Sequence, residues 1–90
     1  METHVSALRE MKKQLEILMR QLDIDGKAAR IASLEATSST TEFWSNAEMA
    51  QKTMQELSSL RAEVERWRSA VRQIDDTLEL AQLDDDSLEH

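Results

Sequence analysis

Residues that build sheets, turns and covalent cross-links are scarce in this sequence. It has one Gly, no Pro, no Cys, no Tyr, one Phe and two Trp. Strands favour β-branched and aromatic residues, and their turns favour Gly or Pro, so a β-rich fold is disfavoured. The absence of Cys excludes disulfides, thiolate metal sites and thiol redox chemistry.

Basic residues and long apolar runs are also in short supply. The chain carries 18 acidic against 11 basic residues, a net charge of −7. Nucleic-acid binders draw much of their affinity from clustered Lys and Arg, so direct binding of RNA or DNA is not expected. No run approaches the ~20 apolar residues of a membrane span, and Met1–Val5 lacks the basic and then apolar start of a signal peptide. A cytoplasmic location is predicted.

The residues that predominate are helix formers, and they occur in helical order. Ala, Leu, Glu, Gln, Arg, Lys and Met lose least on entering a helix. The 90 residues predict one small all-α domain, an antiparallel helical hairpin or bundle with one long coiled-coil-like helix. A first helix is predicted over about residues 4–22. Its apolar stripe consists of Leu8, Met11, Leu15, Leu18 and Leu22.

A second, shorter helix is predicted over about residues 23–36. Asp23 or Asp25 can cap its N-terminus, while the sequence leaves open whether the chain bends at Gly26. Thr37–Thr41 has no helical period and predicts a linker. The apolar stripe of this helix consists of Ile24, Ala28, Ile31 and Leu34.

The longest regular pattern predicts a third helix over about residues 46–82, roughly 54 Å long. Ser45 or Asn46 is its expected N-cap, and Ser45 with Glu48 fits a capping box. The helix is expected to end at the acidic cluster Asp84–Asp86, because acidic side chains oppose the negative end of the helix dipole. Its apolar seam consists of Ala50, Thr53, Leu57, Leu60, Val64, Trp67, Val71, Ile74, Leu78 and Ala81.

This seam has two interpretations, the core of an intramolecular bundle or the interface of a homodimeric coiled coil. The first two helices would measure about 27 and 20 Å, so a hairpin of the two would leave half of the seam uncovered. Long apolar strips rarely stay exposed. Self-association through residues 57–78 is therefore expected, with Trp67 and Val71 at its centre.

Two large aromatic side chains, Phe43 and Trp44, lie side by side in a polar segment. Burying each is worth about 2–3 kcal/mol. The preferred interpretation is a hydrophobic plug between the short helices and the long one, with Trp44 buried near Met49, Thr53 or Met54. The alternative is an anchor for a binding partner. The candidate packing or partner anchors are Phe43, Trp44, Trp67 and Val71.

No constellation of residues indicates catalysis. The histidines, His4 and His90, lie near the chain ends, and residues 88–90 resemble the start of a vector-derived histidine tag. Asp84–Asp86 lacks the alternating ligands, turn Gly and terminal Glu of a calcium loop, and a single Gly cannot form a phosphate-binding loop. The chain is therefore predicted not to be an enzyme and to hold no metal or cofactor.

A series of short segments carries a family resemblance that no single segment would carry alone. They are Leu22–Lys27, Arg30–Glu35, Glu42–Asn46, Ala50–Lys52, Leu57–Leu60, Glu65–Trp67, Leu78–Ala81 and Asp84–Asp86. In this order and spacing they resemble the N-terminal region of the bacterial peptide chain release factor 2 family, over roughly residues 5–87. The Phe43–Trp44 pair favours this family over release factor 1. Thr40–Thr41 stands where the family usually has Asp-Pro, and Ala47 stands where it often has a Pro.

The resemblance implies a role in translation termination. Members of the family enter the ribosomal A site at UGA or UAA, read the codon with Ser-Pro-Phe and promote peptidyl-tRNA hydrolysis with Gly-Gly-Gln. Neither tripeptide occurs here, so residues 1–87 would be the N-terminal helical domain. In the family this domain lies near the stalk base of the large ribosomal subunit and communicates with the release-factor GTPase, and a further helix follows the acidic cluster. The alternative is a homodimeric coiled-coil scaffold or adaptor unrelated to translation.

Overall fold

The computed structural model describes residues 2–88, with side chains from His4 to Asp84. These residues confirm the all-α prediction. The elements are α1 (Glu2–Gln21), α2 (Ile24–Ser38), a short 3-10 helix (Glu42–Ser45) and α3 (Ala47–Leu88). Glu89 and His90, part of the expected tag, lie outside the described residues. Over the part of the chain described, none of the helices is both long and apolar enough to cross a membrane.

Helix α3 is longer than the sequence pattern predicts. It spans 42 residues and continues to Leu88, so the predicted end near residue 82 is wrong. The apolar period fades there, but neither Gly nor Pro interrupts the helix beyond that point. An acidic side chain in the last turn costs only about 0.3–1 kcal/mol, which is too little to stop the helix.

The chain divides into two compact units that share α3. Among the described residues, the first unit comprises 2–22 and 67–88, and the second comprises 23–66. In the first unit α1 packs against the C-terminal part of α3. Lys12 Nζ lies 2.6 Å from Asp75 Oδ1. The hydrogen bond to Asp75, together with its charge, raises the pKa of Lys12 above its ordinary value of 10.5. The contribution of this ion pair to folding stability is therefore present at neutral pH. It is lost as the pH rises through the raised pKa of Lys12.

The packing face of α1 differs from the predicted stripe. Met11, Leu18 and Leu22 are 53%, 46% and 38% exposed, so their assignment to the core is wrong. Another set with the same spacing of three and four residues is buried or half-buried instead. It consists of Val5, Leu8, Lys12, Leu15 and Met19. Lys12 takes a core-facing position because its apolar stem can pack there while its ammonium group reaches Asp75.

In the second unit α2 packs antiparallel against the N-terminal part of α3. A short connection joins the two helices, as is usual for antiparallel neighbours. The core contains Ile24 and Leu57, both 1% exposed, together with Leu34, Ala50 and Val64. Three ion pairs flank this core. They join Lys27 to Glu63 at 2.6 Å, Arg30 to Glu56 at 3.4 Å and Arg61 to Glu35 at 3.5 Å.

The seam predicted for the long helix is the packing face of α3. Each of its ten predicted positions is buried or half-buried, and none is exposed. The expectation that half of it lacks a cover is wrong. Helix α2 shares a unit with the seam up to Val64, and α1 shares the other unit with the seam from Trp67 onward. The two short helices therefore each cover a different part of α3.

The start of α2 depends on an unusual pair of residues. Asp23 has a left-handed backbone, with φ 53° and ψ 52°, and its Oδ1 accepts a hydrogen bond from Gly26 N at 3.2 Å. Asp tolerates this conformation better than most residues. Of the two predicted caps, Asp23 is the one that forms. A Cβ at Gly26 would collide with the Asp23 carboxylate, so Gly26 leaves room for the cap within the first turn of α2.

We expect substitutions at these two positions to be strongly non-additive. Asp23→Ala should cost about 2 kcal/mol, since it removes a cap worth about 1 kcal/mol and strains a left-handed Ala by a similar amount. Gly26→Ala should raise the free energy of unfolding by about 1 kcal/mol through helix propensity. We expect this gain only when Asp23 is also replaced by Ala, because the Asp23 carboxylate then no longer blocks the added Cβ. Urea unfolding of the double-mutant cycle measures this coupling. Asp23→Asn is the control and should be nearly neutral. Simple additivity would contradict the steric explanation.

Candidate interaction surface

The connection between α2 and α3 is more ordered than the predicted linker. Thr37 and Ser38 belong to α2, so a linker beginning at Thr37 is wrong. Hydroxyl groups along this segment donate to backbone carbonyls three or four residues earlier. The bonds are Thr37 to Ser33 at 3.0 Å, Ser38 to Glu35 at 2.9 Å, Ser39 to Ala36 at 2.7 Å and Thr40 to Thr37 at 2.8 Å. Three of these bonds reach carbonyls of the last turn of α2, where the Ala36 and Thr37 carbonyls also accept backbone N–H groups, from Ser39 at 3.3 Å and Thr40 at 3.2 Å.

The segment then forms a 3-10 helix, Glu42–Ser45, which we call the aromatic turn because it contains Phe43 and Trp44. Asn46 follows in an extended conformation. Its Oδ1 accepts a hydrogen bond from Met49 N at 3.2 Å, so Asn46 caps α3. The Ser45–Glu48 capping box is wrong, because the Ser45 hydroxyl donates to the Glu42 carbonyl at 2.6 Å instead.

Trp44 lies on the surface. Its side chain is 57% exposed, so the prediction of a buried plug near Met49, Thr53 or Met54 is wrong. Phe43 is half-buried. The two rings are held edge to face, with centroids 4.8 Å apart and planes at 89°. This geometry is favourable for aromatic pairs.

A hydrogen bond fixes the orientation of the exposed indole. Trp44 Nε1 donates to the Ser38 carbonyl oxygen at 3.0 Å. The ring therefore has its polar atom paired within the chain and its apolar surface in solvent. Met49, in the first turn of α3, is also 57% exposed. A rigid exposed aromatic side chain has little entropy to lose on binding, which is the usual property of an interface anchor.

The four candidate anchors fall in two different units. Phe43 and Trp44 lie in the second unit, whereas Trp67 and Val71 lie on α3 in the first. Trp67 and Val71 are half-buried on the packing face of α3, and neither is among the large exposed apolar residues. Only the aromatic turn combines exposure with a fixed orientation, so it is the better candidate for contact with another molecule.

The first unit contains an open, largely apolar groove that the sequence patterns did not reveal. The groove is marked by large apolar side chains that remain exposed, since Met11 is 53% and Leu80 is 67% exposed. The apolar pattern places Met11 on the predicted stripe of α1, and Leu80 lies off the seam of α3. The groove is lined by His4, Ala7, Leu8, Met11, Thr77, Leu80, Ala81 and Asp84.

These features define a class of small all-helical domain in which one long helix packs against two shorter ones. Comparison with known proteins identifies a particular relationship. The chain is 37% identical over 83 residues to peptide chain release factor 2 of an Exiguobacterium species, covering 89% of this chain and 23% of that protein. It is 39% identical over 61 residues to the Treponema pallidum release factor 2, covering 68% of this chain and 17% of that protein. It is 30% identical over 82 residues to the Neorickettsia sennetsu release factor 2, an alignment that covers 91% of this chain and 22% of that protein.

The chain is therefore related to the peptide chain release factor 2 family, and the resemblance seen in its segments is confirmed. It spans about a fifth of the length of the curated relatives it matches, as expected for one domain of such a factor. No family model matches the chain, and no solved structure matches it either.

Proposed function

We propose that this chain is the N-terminal docking domain of a class I release factor that directs translation termination at UGA and UAA codons in the cytoplasm. It acts by binding rather than by chemistry. Its partner in the full factor is the ribosome, at the stalk base of the large subunit, and the release-factor GTPase communicates with it. It binds neither nucleic acid directly nor a membrane. The sequence relationship to release factor 2 over most of the chain is the observation that carries this proposal.

The structure supports a docking role through what it exposes. The α3 seam is occupied by the chain's own helices, while the aromatic turn presents an oriented, exposed Trp44. The chain's net charge of −7 complements a basic surface better than a phosphate backbone. A stable scaffold that presents an exposed and oriented aromatic side chain suits a docking module.

A chimeric factor tests the proposal. The matched segment of the Exiguobacterium release factor 2 would be replaced by this chain, and release of formyl-methionine would be measured on ribosomes programmed with UGA, UAA or UAG. We expect release at UGA and UAA within a few-fold of the parent factor. A control chimera carrying Leu57→Asp, which puts a charge into the core, should be impaired. A folded chimera no more active than a factor lacking the segment would contradict the proposal.

The chain alone is expected to show no release activity. It contains neither Ser-Pro-Phe nor Gly-Gly-Gln, and its single Gly and missing Pro preclude both. The measurement is the same release assay at saturating concentrations of the 90-residue chain. Codon-dependent hydrolysis of formyl-methionyl-tRNA above the ribosome-only background would refute the expectation.

The alternative of a homodimeric scaffold predicts a stable dimer through the seam over residues 50–81. In this structure Leu57 and Val64 are 1% and 4% exposed within a single chain. A dimer through that seam would have to displace α1 or α2, so the structure favours the docking domain. Sedimentation equilibrium at micromolar concentration separates the two. A dimer that Val71→Asp dissociates, with the helical content retained, would favour the scaffold.

A further inference from the structure

We propose that the aromatic turn is the anchor of the docking interaction and inserts Trp44 into an apolar pocket on a basic protein surface. This inference rests on the proposed function and names the chemistry of the partner. It is independent of the α3 seam, whose residues are engaged within the chain.

The first argument is the arrangement of polar and apolar groups around Trp44. The indole N–H is paired with Ser38, and the hydroxyl groups of Ser39, Thr40 and Ser45 donate to carbonyls of the same segment. A partner can cover this region without leaving those donors unpaired, so desolvation costs little. An apolar centre with a polar rim is the usual organisation of an interface hot spot.

The second argument is charge. Residues 37–51 contain two acidic side chains, Glu42 and Glu48, and no basic one. Both are exposed. The nearest cation along the chain, Lys52, lies 3.9 Å from Glu48 in a pair whose side chains are 70% and 82% exposed, so solvent screens that pair. The surface around Trp44 is therefore acidic, and its complement is a basic surface.

The third argument distinguishes a protein partner from RNA. A helix N-terminus attracts phosphate through its free N–H groups and its dipole. At the start of α3, Asn46 already accepts from Met49 N, and Glu48 places a carboxylate in the first turn. A phosphate would meet repulsion there. The basic partner is accordingly a protein.

Binding of the chain to purified bacterial large ribosomal subunits tests the anchor. Equilibrium cosedimentation would compare the wild type with Trp44→Ala, Trp44→Phe and Leu83→Ala. Leu83 is the matched control because it is 58% exposed against 57% for Trp44. We expect Trp44→Ala to weaken binding about tenfold or more, Trp44→Phe less, and Leu83→Ala less than twofold. Circular dichroism verifies that each variant is folded. Unchanged binding by folded Trp44→Ala would overturn the anchor.

Cross-linking identifies the class of the partner. Since the sequence has no Cys, Thr41→Cys carries a benzophenone at one site beside the aromatic turn, and Gln73→Cys serves as the control in the other unit. We expect the label at position 41 to cross-link a basic ribosomal protein after illumination. Cross-links only to RNA, or binding without any cross-link from position 41, would overturn this inference and leave the proposed function standing. Absence of binding to the subunits by the wild type would overturn both.

Discussion

Leu57→Ala is expected to lower the free energy of unfolding by about 3 kcal/mol. Leu57 is 1% exposed and lies at the middle of the packing face in the second unit. Truncation removes buried methyl groups and leaves a cavity that two rigid helices can close only in part. Small domains have total stabilities of roughly 5–15 kcal/mol, so this loss is a large share. Urea unfolding followed by circular dichroism measures it.

The matched control is the same substitution at an exposed leucine of the same helix. Leu80 is 67% exposed, so Leu80→Ala should cost less than about 0.5 kcal/mol, as most surface substitutions do. Equal costs at the two positions would mean that the packing face of α3 is rotated from the one described. A cost near zero at Leu57 would show that the second unit has no consolidated core.

The seam of α3 could be predicted from sequence because it repeats over more than four heptads. A long repeat averages out local ambiguity, and all ten predicted positions are buried or half-buried. The same holds for α2, where Ile24 and Leu34 are buried as predicted. In both helices one apolar stripe is clearly better than any alternative, so the pattern determines the packing face.

Helix α1 shows where such a pattern fails. Its sequence offers two apolar stripes that share Leu8 and Leu15. One contains Met11 and Leu18, and the other contains Lys12. Counting apolar residues favours the first, because a lysine scores as polar. The structure selects the second, since Lys12 gains Asp75 as a partner. That partner lies 63 residues away along the chain (75 minus 12), so local periodicity carries no information about it.

The prediction that Trp44 in the aromatic turn is buried is wrong for a different reason. The free energy of transferring a large ring out of water, an average over many proteins, predicts burial of Trp44. The local backbone decides otherwise, because the 3-10 helix brings the indole N–H to the Ser38 carbonyl. Phe43 and Trp44 contact each other edge to face, which the sequence analysis did not predict. Their exposure follows from turn geometry that no residue pattern specifies.

The exposure of Trp44 supports the alternative of an anchor for a binding partner over the hydrophobic plug. A residue that binds a partner must remain exposed in the free domain, at a cost to stability. Trp44→Ala should therefore change the unfolding free energy by less than about 1 kcal/mol, far below the ~3–5 kcal/mol typical of a buried Trp. We expect Trp44→Ala to weaken binding of a partner much more than it lowers stability.

The second large effect is expected at Ile24, which is 1% exposed and is the first residue of α2 after the Asp23 cap. Ile24→Ala should cost about 3 kcal/mol, and Ile24→Val should cost about 1 kcal/mol. The ratio of these two costs distinguishes cavity formation from helix propensity. A cavity grows with each methyl group removed, so the cost should be larger for Ala than for Val. Helix propensity predicts the opposite order, because Ala is the better helix former. Ile17, 47% exposed in α1, is the matched control, and Ile17→Ala should be nearly neutral. If Ile24→Ala proved no more costly than Ile17→Ala in urea unfolding, α2 would be held to α3 by its ion pairs alone, and the described core of the second unit would be wrong.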